Sequence, residues 1–300
     1  MSSVAAIDIG SNSVRLLIVD DQQRELCREM HITRLAEGVD RTGVLGEAPM
    51  ARTLSVLETF GASVARHGVA RVRVTGTSAA RDAKNRAEFF QRVHAAVGSV
   101  PELLSGGAEA ALAFGGATAD QSPDMGPFVT LDIGGGSTEF AFGGSAVERS
   151  ISLDIGCVRI TERFLGGDPP RSAELEAAAG HVRGLLARVE LEVPCRSAKT
   201  WLGLAGTVTT LAARDAGLAA YNPSVTHGRC LTRARVEALH AELAQRSQAE
   251  RVPLLLEAKR APVIVGGSII LLEVMRFYDL SSILVSERDI LDGLAASLRA

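Results

Sequence analysis

Three hundred residues, 46% hydrophobic and 22% charged, are an ordinary globular composition with room for two domains of about 130 to 150 residues each. A formal net charge of −3 supplies no overall field to gather a polyanion, so nucleic acid is not an expected partner, and a phosphate-rich ligand must be held by local donors. Four cysteines without a C-x-x-C spacing and six histidines in no ligand pattern argue against a zinc site and a disulfide framework. The N-terminal segment lacks a basic region and a long apolar run, and the longest apolar stretch, 261–272, is too short to span a bilayer, so a soluble cytoplasmic protein with no membrane partner is expected. Only three lysines, Lys84, Lys199 and Lys259, stand among the 32 basic residues; arginine suits bidentate phosphate binding, and a GC-rich coding bias explains the same count.

In chain order, 4–35 reads as strand, turn, strand, turn, strand, with Asp20-Asp21-Gln22-Gln23 as the second turn. Helical spacing of Met50, Leu54, Leu57 and Val64 predicts a helix over 49–67, followed by a strand at 69–74 and a second helix over 81–97. Leu103-Leu104 ends in Ser105-Gly106-Gly107, and a helix over 108–115 follows. The small, polar, breaker-rich stretch 115–127 is the natural domain boundary, giving domains 1–125 and 126–300. After it the pattern restarts with strands at 128–131, 138–142 and 146–153, then helices over 158–165 and 171–190. A strand at 200–204 meets a glycine turn, Ala205-Gly206-Thr207-Val208-Thr209-Thr210, that opens a helix. Helices over 233–247 and 253–259, another strand-to-helix turn at 262–267, a short strand at 283–286 and a last helix at about 287–300, expected to pack back on the first domain, complete the reading.

Two acidic turns share one grammar: Ile7-Asp8-Ile9-Gly10-Ser11-Asn12-Ser13 in the first half, and Leu131-Asp132-Ile133-Gly134-Gly135-Gly136-Ser137-Thr138-Glu139 in the second. Each lies between short apolar runs, as the tip of a hairpin does. Glycine removes the Cβ and lets bare N–H groups crowd around an anion. A carboxylate beside such amides repels phosphate unless a cation lies between, and Asp, hydroxyls and phosphate oxygens form a hard-oxygen set suited to Mg²⁺. Either turn alone is ordinary hairpin chemistry; a matched pair in the two halves points to a metal–phosphate ligand shared in the cleft between them.

A β-β-β-α-β-α unit repeated twice, with an acidic glycine turn after each first strand, resembles the actin, sugar kinase (hexokinase) and Hsp70 superfamily. This implies an α/β fold of two ribonuclease H-like domains with an interdomain cleft. Within it the chain resembles the exopolyphosphatase and guanosine pentaphosphate phosphatase family (Ppx/GppA), in its short two-domain form. The carrying residues span nearly the whole chain: Asp8 to Ser13 with Arg15-Leu16, Thr77-Ser78-Ala79-Ala80-Arg81-Asp82-Ala83-Lys84-Asn85, Ser105-Gly106 through Glu109-Ala110, Asp132 through Glu139, Gly206-Thr207, His227-Gly228 and Ser286-Glu287-Arg288. The Thr-Ser-Ala-x-Arg-x-Ala-x-Asn run separates this family from actins and sugar kinases.

The resemblance implies release of terminal orthophosphate from inorganic polyphosphate, or of the 5′ γ-phosphate of pppGpp, with Mg²⁺ (or Mn²⁺) and water. By motif, Glu109 would be the general base; Asp132 and Glu139 would hold the metal and orient the water, and Asp8 would contribute to the metal site. Ser11, Asn12, Ser13, Gly135, Gly136, Ser137 and Thr138 would cradle phosphates, with Arg81, Gly206, Thr207 and Arg260 assisting. Plainer readings stand beside these: Glu109 complementing a helix dipole, Arg81 in an exposed ion pair, Glu139 facing solvent, Arg260 as a helix-end cation. Many relatives carry two glutamates where this chain has Ala108-Glu109, and Pro262 replaces an acidic residue common after Arg-Ala. Longer relatives continue into helical domains that guide long polymers, so shorter polyphosphates are the expected substrates. The alternatives are a pppGpp or nucleoside triphosphate phosphatase acting on guanosine or adenosine polyphosphates, a non-catalytic actin-like nucleotide-binding protein, and a small-molecule kinase. The family further implies a homodimer.

Overall fold

The structure is a computed structural model that describes residues 3–299; the outer limits of the two expected domains, 1 and 300, and the end of the expected 287–300 helix lie outside the described residues. The chain divides into two compact units, Met1–Gly116 with Ile290–Ala300, and Ala117–Asp289. The division falls ahead of the expected one at 125, within the last turn of the helix Gly106–Thr118. No helix among the described residues is long and apolar enough to cross a membrane.

The first unit opens with β1 (Val4–Ile9), β2 (Ser13–Val19) and β3 (Glu25–Ile32), followed by α1 (Val39–Thr42), α2 (Glu47–Arg66) and β4 (Arg71–Gly76). Then come α3 (Ser78–Asp82), α4 (Arg86–Val97), β5 (Glu102–Leu103) and α5 (Gly106–Thr118). The sheet order is β3-β2-β1-β4-β5. β2 pairs antiparallel with both β1 and β3, whereas β4 runs parallel to β1 and β5 parallel to β4. All six residues of β1 are buried, as a central strand covered on both faces requires. The helix expected over 81–97 is broken in two at Ala83–Asn85. Asn85 is clamped to the Leu45 backbone in both directions, at 2.8 and 3.0 Å, and the Lys84 N–H reaches Gly43 C=O at 2.9 Å. These bonds to a segment about forty residues away hold the chain out of the helix at the break.

The second unit contains β6 (Phe128–Ile133), β7 (Thr138–Gly143), β8 (Val147–Leu153), α6 (Cys157–Phe164), α7 (Ser172–Glu192), β9 (Thr200–Leu204) and α8 (Ala205–Asp215). It continues through α9 (Pro223–Thr226), β10 (Cys230–Thr232), α10 (Arg233–Ala244), α11 (Gln248–Arg251), α12 (Ile264–Phe277) and β11 (Ser282–Val285). Its sheet order is β10-β11-β9-β6-β7-β8. The β3-β2-β1-β4 pattern of the first unit recurs here as β8-β7-β6-β9, with the same parallel and antiparallel senses. Val129, Leu131 and Ile133 alternate into a core shared with residues of α6, α7, α8, α10 and α12. The α/β class and the two ribonuclease H-like domains expected from sequence are both present. The last helix, α13 (Ile290–Ser297), belongs to the first unit and packs on β1 and β2. A Cβ at Gly293 would lie 2.1 Å from Leu112 C=O, so only glycine lets α13 sit this close to α5.

Two expected elements are absent. In place of a helix over 253–259 stand two 3₁₀ turns, Val252–Leu254 and Ala258–Arg260. No strand precedes Gly266-Gly267, because Ile264 and Val265 already lie in α12. The two glycines are not a turn but a contact: a Cβ at Gly266 would be 2.5 Å from Thr161 Oγ1, and one at Gly267 would be 2.3 Å from Thr207 Oγ1. Small residues here let α12 press against α6 and α8. No cysteine is paired among the described residues, and burial raises the thiols of Cys157 to about 11 and Cys195 to about 12.

Candidate active site

The two acidic turns are closed by the same hydrogen bond. Gly10 N–H donates to Ser13 C=O at 3.0 Å, and Gly134 N–H donates to Ser137 C=O at 3.0 Å. In the first unit Ser11 C=O accepts from Ala36 N–H, and Asn12 C=O from the N–H groups of Thr33 and Arg34. In the second, Gly134 C=O accepts from Cys157 N–H, and Gly135 C=O from Val158 and Arg159 N–H. A trans peptide is planar, with its N–H opposed to the preceding C=O. Carbonyls turned toward the body of each unit therefore turn the N–H groups of Asn12 and Ser13, and of Gly135 and Gly136, the other way. Successive outward N–H groups make an anion-binding concavity.

Asn12 adds a second sign. It is 5% exposed, yet neither its side-chain nitrogen nor its oxygen has a hydrogen-bond partner among the described residues. A buried amide left unsatisfied costs about 1 to 3 kcal/mol, a penalty that a polar ligand at the turn would relieve. Ser11 Oγ instead accepts from Ala79 N–H at 3.1 Å and ties the turn to α3. The Thr138 hydroxyl, expected in the cradle, is buried and donates to Ile155 C=O at 2.6 Å. Its side chain holds the hairpin rather than a phosphate.

The duplicated hairpins differ in one charge. Asp8 stands opposite Arg15 in the β1–β2 register, and Arg15 Nη2 lies 2.7 Å from Asp8 Oδ2. Asp132 stands opposite Glu139 in the β6–β7 register. Residues facing each other across antiparallel strands have Cβ atoms about 4.5 to 5.5 Å apart, so the second hairpin sets two carboxylates side by side. Glu139 is buried rather than solvent-facing, and Ser152 Oγ donates to its Oε1 at 2.6 Å. Such a pair fits Mg²⁺, which takes one or two carboxylates and completes its shell with water and phosphate oxygens. Among the described residues no three His, Cys, Asp or Glu side chains gather as an all-protein metal cage. Asp8, expected among the metal ligands, has its carboxylate engaged by Arg15.

In the first unit Glu109 occupies the first turn of α5, where its N–H donates to Ser105 C=O at 2.9 Å. Burial is the main cause that raises its carboxyl from 4.5 to about 6. Arg81 pulls the value down, and the nearby Asp8 pushes it up. Arg81 Nη1 lies 2.6 Å from Glu109 Oε2 and 3.1 Å from Leu104 C=O. Arg81 is therefore neither an exposed cation nor solely a phosphate donor, since it holds the candidate base.

In the second unit β9 ends beside β6, with Leu204 opposite Asp132, so the turn at Gly206 leaves the sheet next to the turn at Gly134. Ala205 is held at φ 64, a left-handed corner unusual for a side-chain-bearing residue. The Arg260 guanidinium covers Gly206, where a Cβ would lie 2.0 Å from Nη1. Arg260 also acts electrostatically on Cys157, whose N–H is bound to Gly134 C=O. Gly206, Thr207 and Arg260 thus adjoin the second acidic turn. A guanidinium at the positive end of α8 is opposed by the helix dipole and is favoured there once an anion is bound.

Two residues were overlooked in the sequence. Arg15 stands in the sequence only as part of a motif, and Arg159 in none; Arg159 Nε donates to Gly136 C=O at 2.8 Å. Position is the signal for Arg15, which falls seven residues after Asp8, where Glu139 falls after Asp132; Arg159 carries no such signal.

The profile of the Ppx/GppA phosphatase family matches residues 7–299. An "Exopolyphosphatase 2" of Mycobacterium tuberculosis is 40% identical over 315 aligned positions, covering 99% of both chains. A crystal structure of an exopolyphosphatase-like protein superposes with a TM-score of 0.95 at 31% identity, over 99% of this chain and 98% of that one. The Ppx/GppA family member of Aquifex aeolicus superposes with a TM-score of 0.82 at 33% identity, over 99% of this chain and 98% of that one.

Proposed function

This chain belongs to the Ppx/GppA phosphatase family and is a phosphoanhydride hydrolase, and from that premise we propose that it is an exopolyphosphatase releasing orthophosphate from the end of short inorganic polyphosphates. The observation that carries the reading is in the first unit: an amide-lined turn with an unsatisfied buried Asn12, and an acid, Glu109, raised to about 6. A base with that value is ionised at neutral pH and still basic enough to take a proton.

In this reading Glu109 accepts the proton of the attacking water, and the leaving polyphosphate departs with its negative charge. Phosphoryl transfer needs in-line positioning and charge neutralisation more than covalent chemistry. The N–H groups of the two turns, the start of α8 and Arg260 supply donors for the phosphate oxygens. Asp132 and Glu139 would hold Mg²⁺ or Mn²⁺, whose chemistry is to neutralise phosphate charge and polarise water. Arg81 keeps Glu109 ionised and oriented.

The test is orthophosphate release from a panel of defined polyphosphates, pppGpp and ATP, with Mg²⁺ present. Tripolyphosphate should turn over with the highest kcat/KM, and Glu109→Gln should lower kcat by about 10² to 10⁴ while melting as the parent does. Faster turnover of pppGpp would transfer the assignment to guanosine pentaphosphate. Unchanged kcat in Glu109→Gln would remove the base.

A further inference from the structure

The carbonyls of the second acidic turn are gripped from one side. Those of Gly134 and Gly135 are taken by the first backbone N–H groups of α6, at 2.9 Å from Cys157, 2.9 Å from Val158 and 3.3 Å from Arg159. The next carbonyl, Gly136, is bound by a side chain, Arg159 Nε at 2.8 Å. In the first unit the matching carbonyl, that of Asn12, is held by two backbone N–H groups, at 3.1 Å from Thr33 and 2.9 Å from Arg34. The duplicated turn has therefore replaced a backbone clamp with an arginine.

The replacement falls where the chain is least constrained. Gly135 and Gly136 have no Cβ to limit their torsions, and a Cβ on Gly156 would stand 2.3 Å from Gly135 C=O, so the start of α6 is pressed against the turn. An arginine in the first turn of a helix is opposed by the dipole. The Gly136 contact gives it a reason to be there. With Gly136 C=O fixed, peptide planarity aims the N–H of Ser137 away from α6, in series with those of Gly135 and Gly136.

We propose that Arg159 is a positioning residue for the phosphate cradle: its Nε–H, bound to Gly136 C=O, orients the Gly136–Ser137 peptide so that Ser137 N–H is presented to a phosphoryl oxygen of the substrate. The inference rests on the exopolyphosphatase reading for the identity of that substrate. In this role Arg159 acts through the Gly136–Ser137 peptide plane and not on the reacting atoms.

The experiment compares wild type, Arg159→Ala, Arg159→Lys and Arg159→Gly in tripolyphosphate hydrolysis, thermal melting and calorimetric titration with imidodiphosphate, which lacks a hydrolysable P–O–P bridge. Removing one oxyanion donor from an active site costs about 10² to 10³ in rate, so loosening one should cost Arg159→Ala about 10- to 100-fold in kcat/KM. Imidodiphosphate should bind about tenfold more weakly, with melting within about 2 °C of wild type. Lysine, which has no donor at the Nε position, should restore little, and added guanidinium should restore activity to Arg159→Gly. Unchanged kcat/KM and affinity in Arg159→Ala would overturn the proposal. So would a loss that follows the melting temperature, or one that disappears at high salt, which would mark a long-range charge effect. Wild type inert toward tripolyphosphate would sink the exopolyphosphatase reading alone; the imidodiphosphate titration would still decide the role of Arg159, and no binding to wild type would reject it.

Discussion

Arg81→Met removes the guanidinium 2.6 Å from Glu109 while keeping the apolar stem as far as about the Nε position. Glu109 keeps the burial and the repulsion from Asp8 that raise it and loses the larger of the two charges that hold it down, leaving Arg15. An arginine beside a carboxylate lowers its pKa by about 1 to 3 units, so the variant should titrate at roughly 7 to 9 instead of about 6. At pH 7 the ionised fraction falls from about nine-tenths to about one-tenth for a two-unit shift, close to a tenfold loss of kcat/KM. Raising the pH should recover that loss. The assay is the pH dependence of kcat/KM for orthophosphate release from tripolyphosphate at fixed Mg²⁺, with the acid limb displaced upward by at least one unit in the variant. An acid limb that stays in place, with a pH-independent loss in KM, would show that Arg81 serves the substrate and not the base, and would refute the reasoning.

Three further outcomes follow from the same structure. The folded-state pKa of Glu109 is raised from 4.5 to about 6, so the folded chain holds more protons than the unfolded one between those values. That stability is fully present below 4.5 and is lost as pH rises through about 6. It amounts to about 2 kcal/mol, seen as the change in the wild-type minus Glu109→Gln stability difference across that window in urea melts. Asn12→Ala removes an unsatisfied buried amide, so it should melt at or above wild type while kcat/KM falls at least tenfold; a parallel fall in both would make Asn12 a structural residue. Gly293→Ala forces a methyl group against Leu112 C=O and should cost about 1 to 3 kcal/mol by denaturant titration.

The sequence was most legible where local chemistry and fold agree. Both acidic turns, the strand Thr200–Leu204 and the opening of α8 at Ala205 stand where glycine and alternation place them. It was least legible where a residue answers to a distant neighbour. Gly266 and Gly267 look like a turn in one dimension, and only the approach of Thr161 and Thr207 shows why side chains are excluded. Thr138 carries a phosphate-loop motif, but its hydroxyl is committed to Ile155. The ion pair between Arg81 and Glu109 joins residues whose motifs imply separate roles, and Arg159 belongs to no motif because its partner is a carbonyl.

The exchange of Arg15 for Glu139 between otherwise matching hairpins makes the halves unequal toward dissolved ions. The first hairpin pairs Asp8 with Arg15 within the chain. If the second holds the proposed divalent cation, mass action ties that half's firmness to the free concentration of that cation. A chelator should then loosen β6 and β7 to hydrogen exchange while β1 and β2 keep their protection, so that the protein reports magnesium scarcity in one lobe before it loses shape in the other.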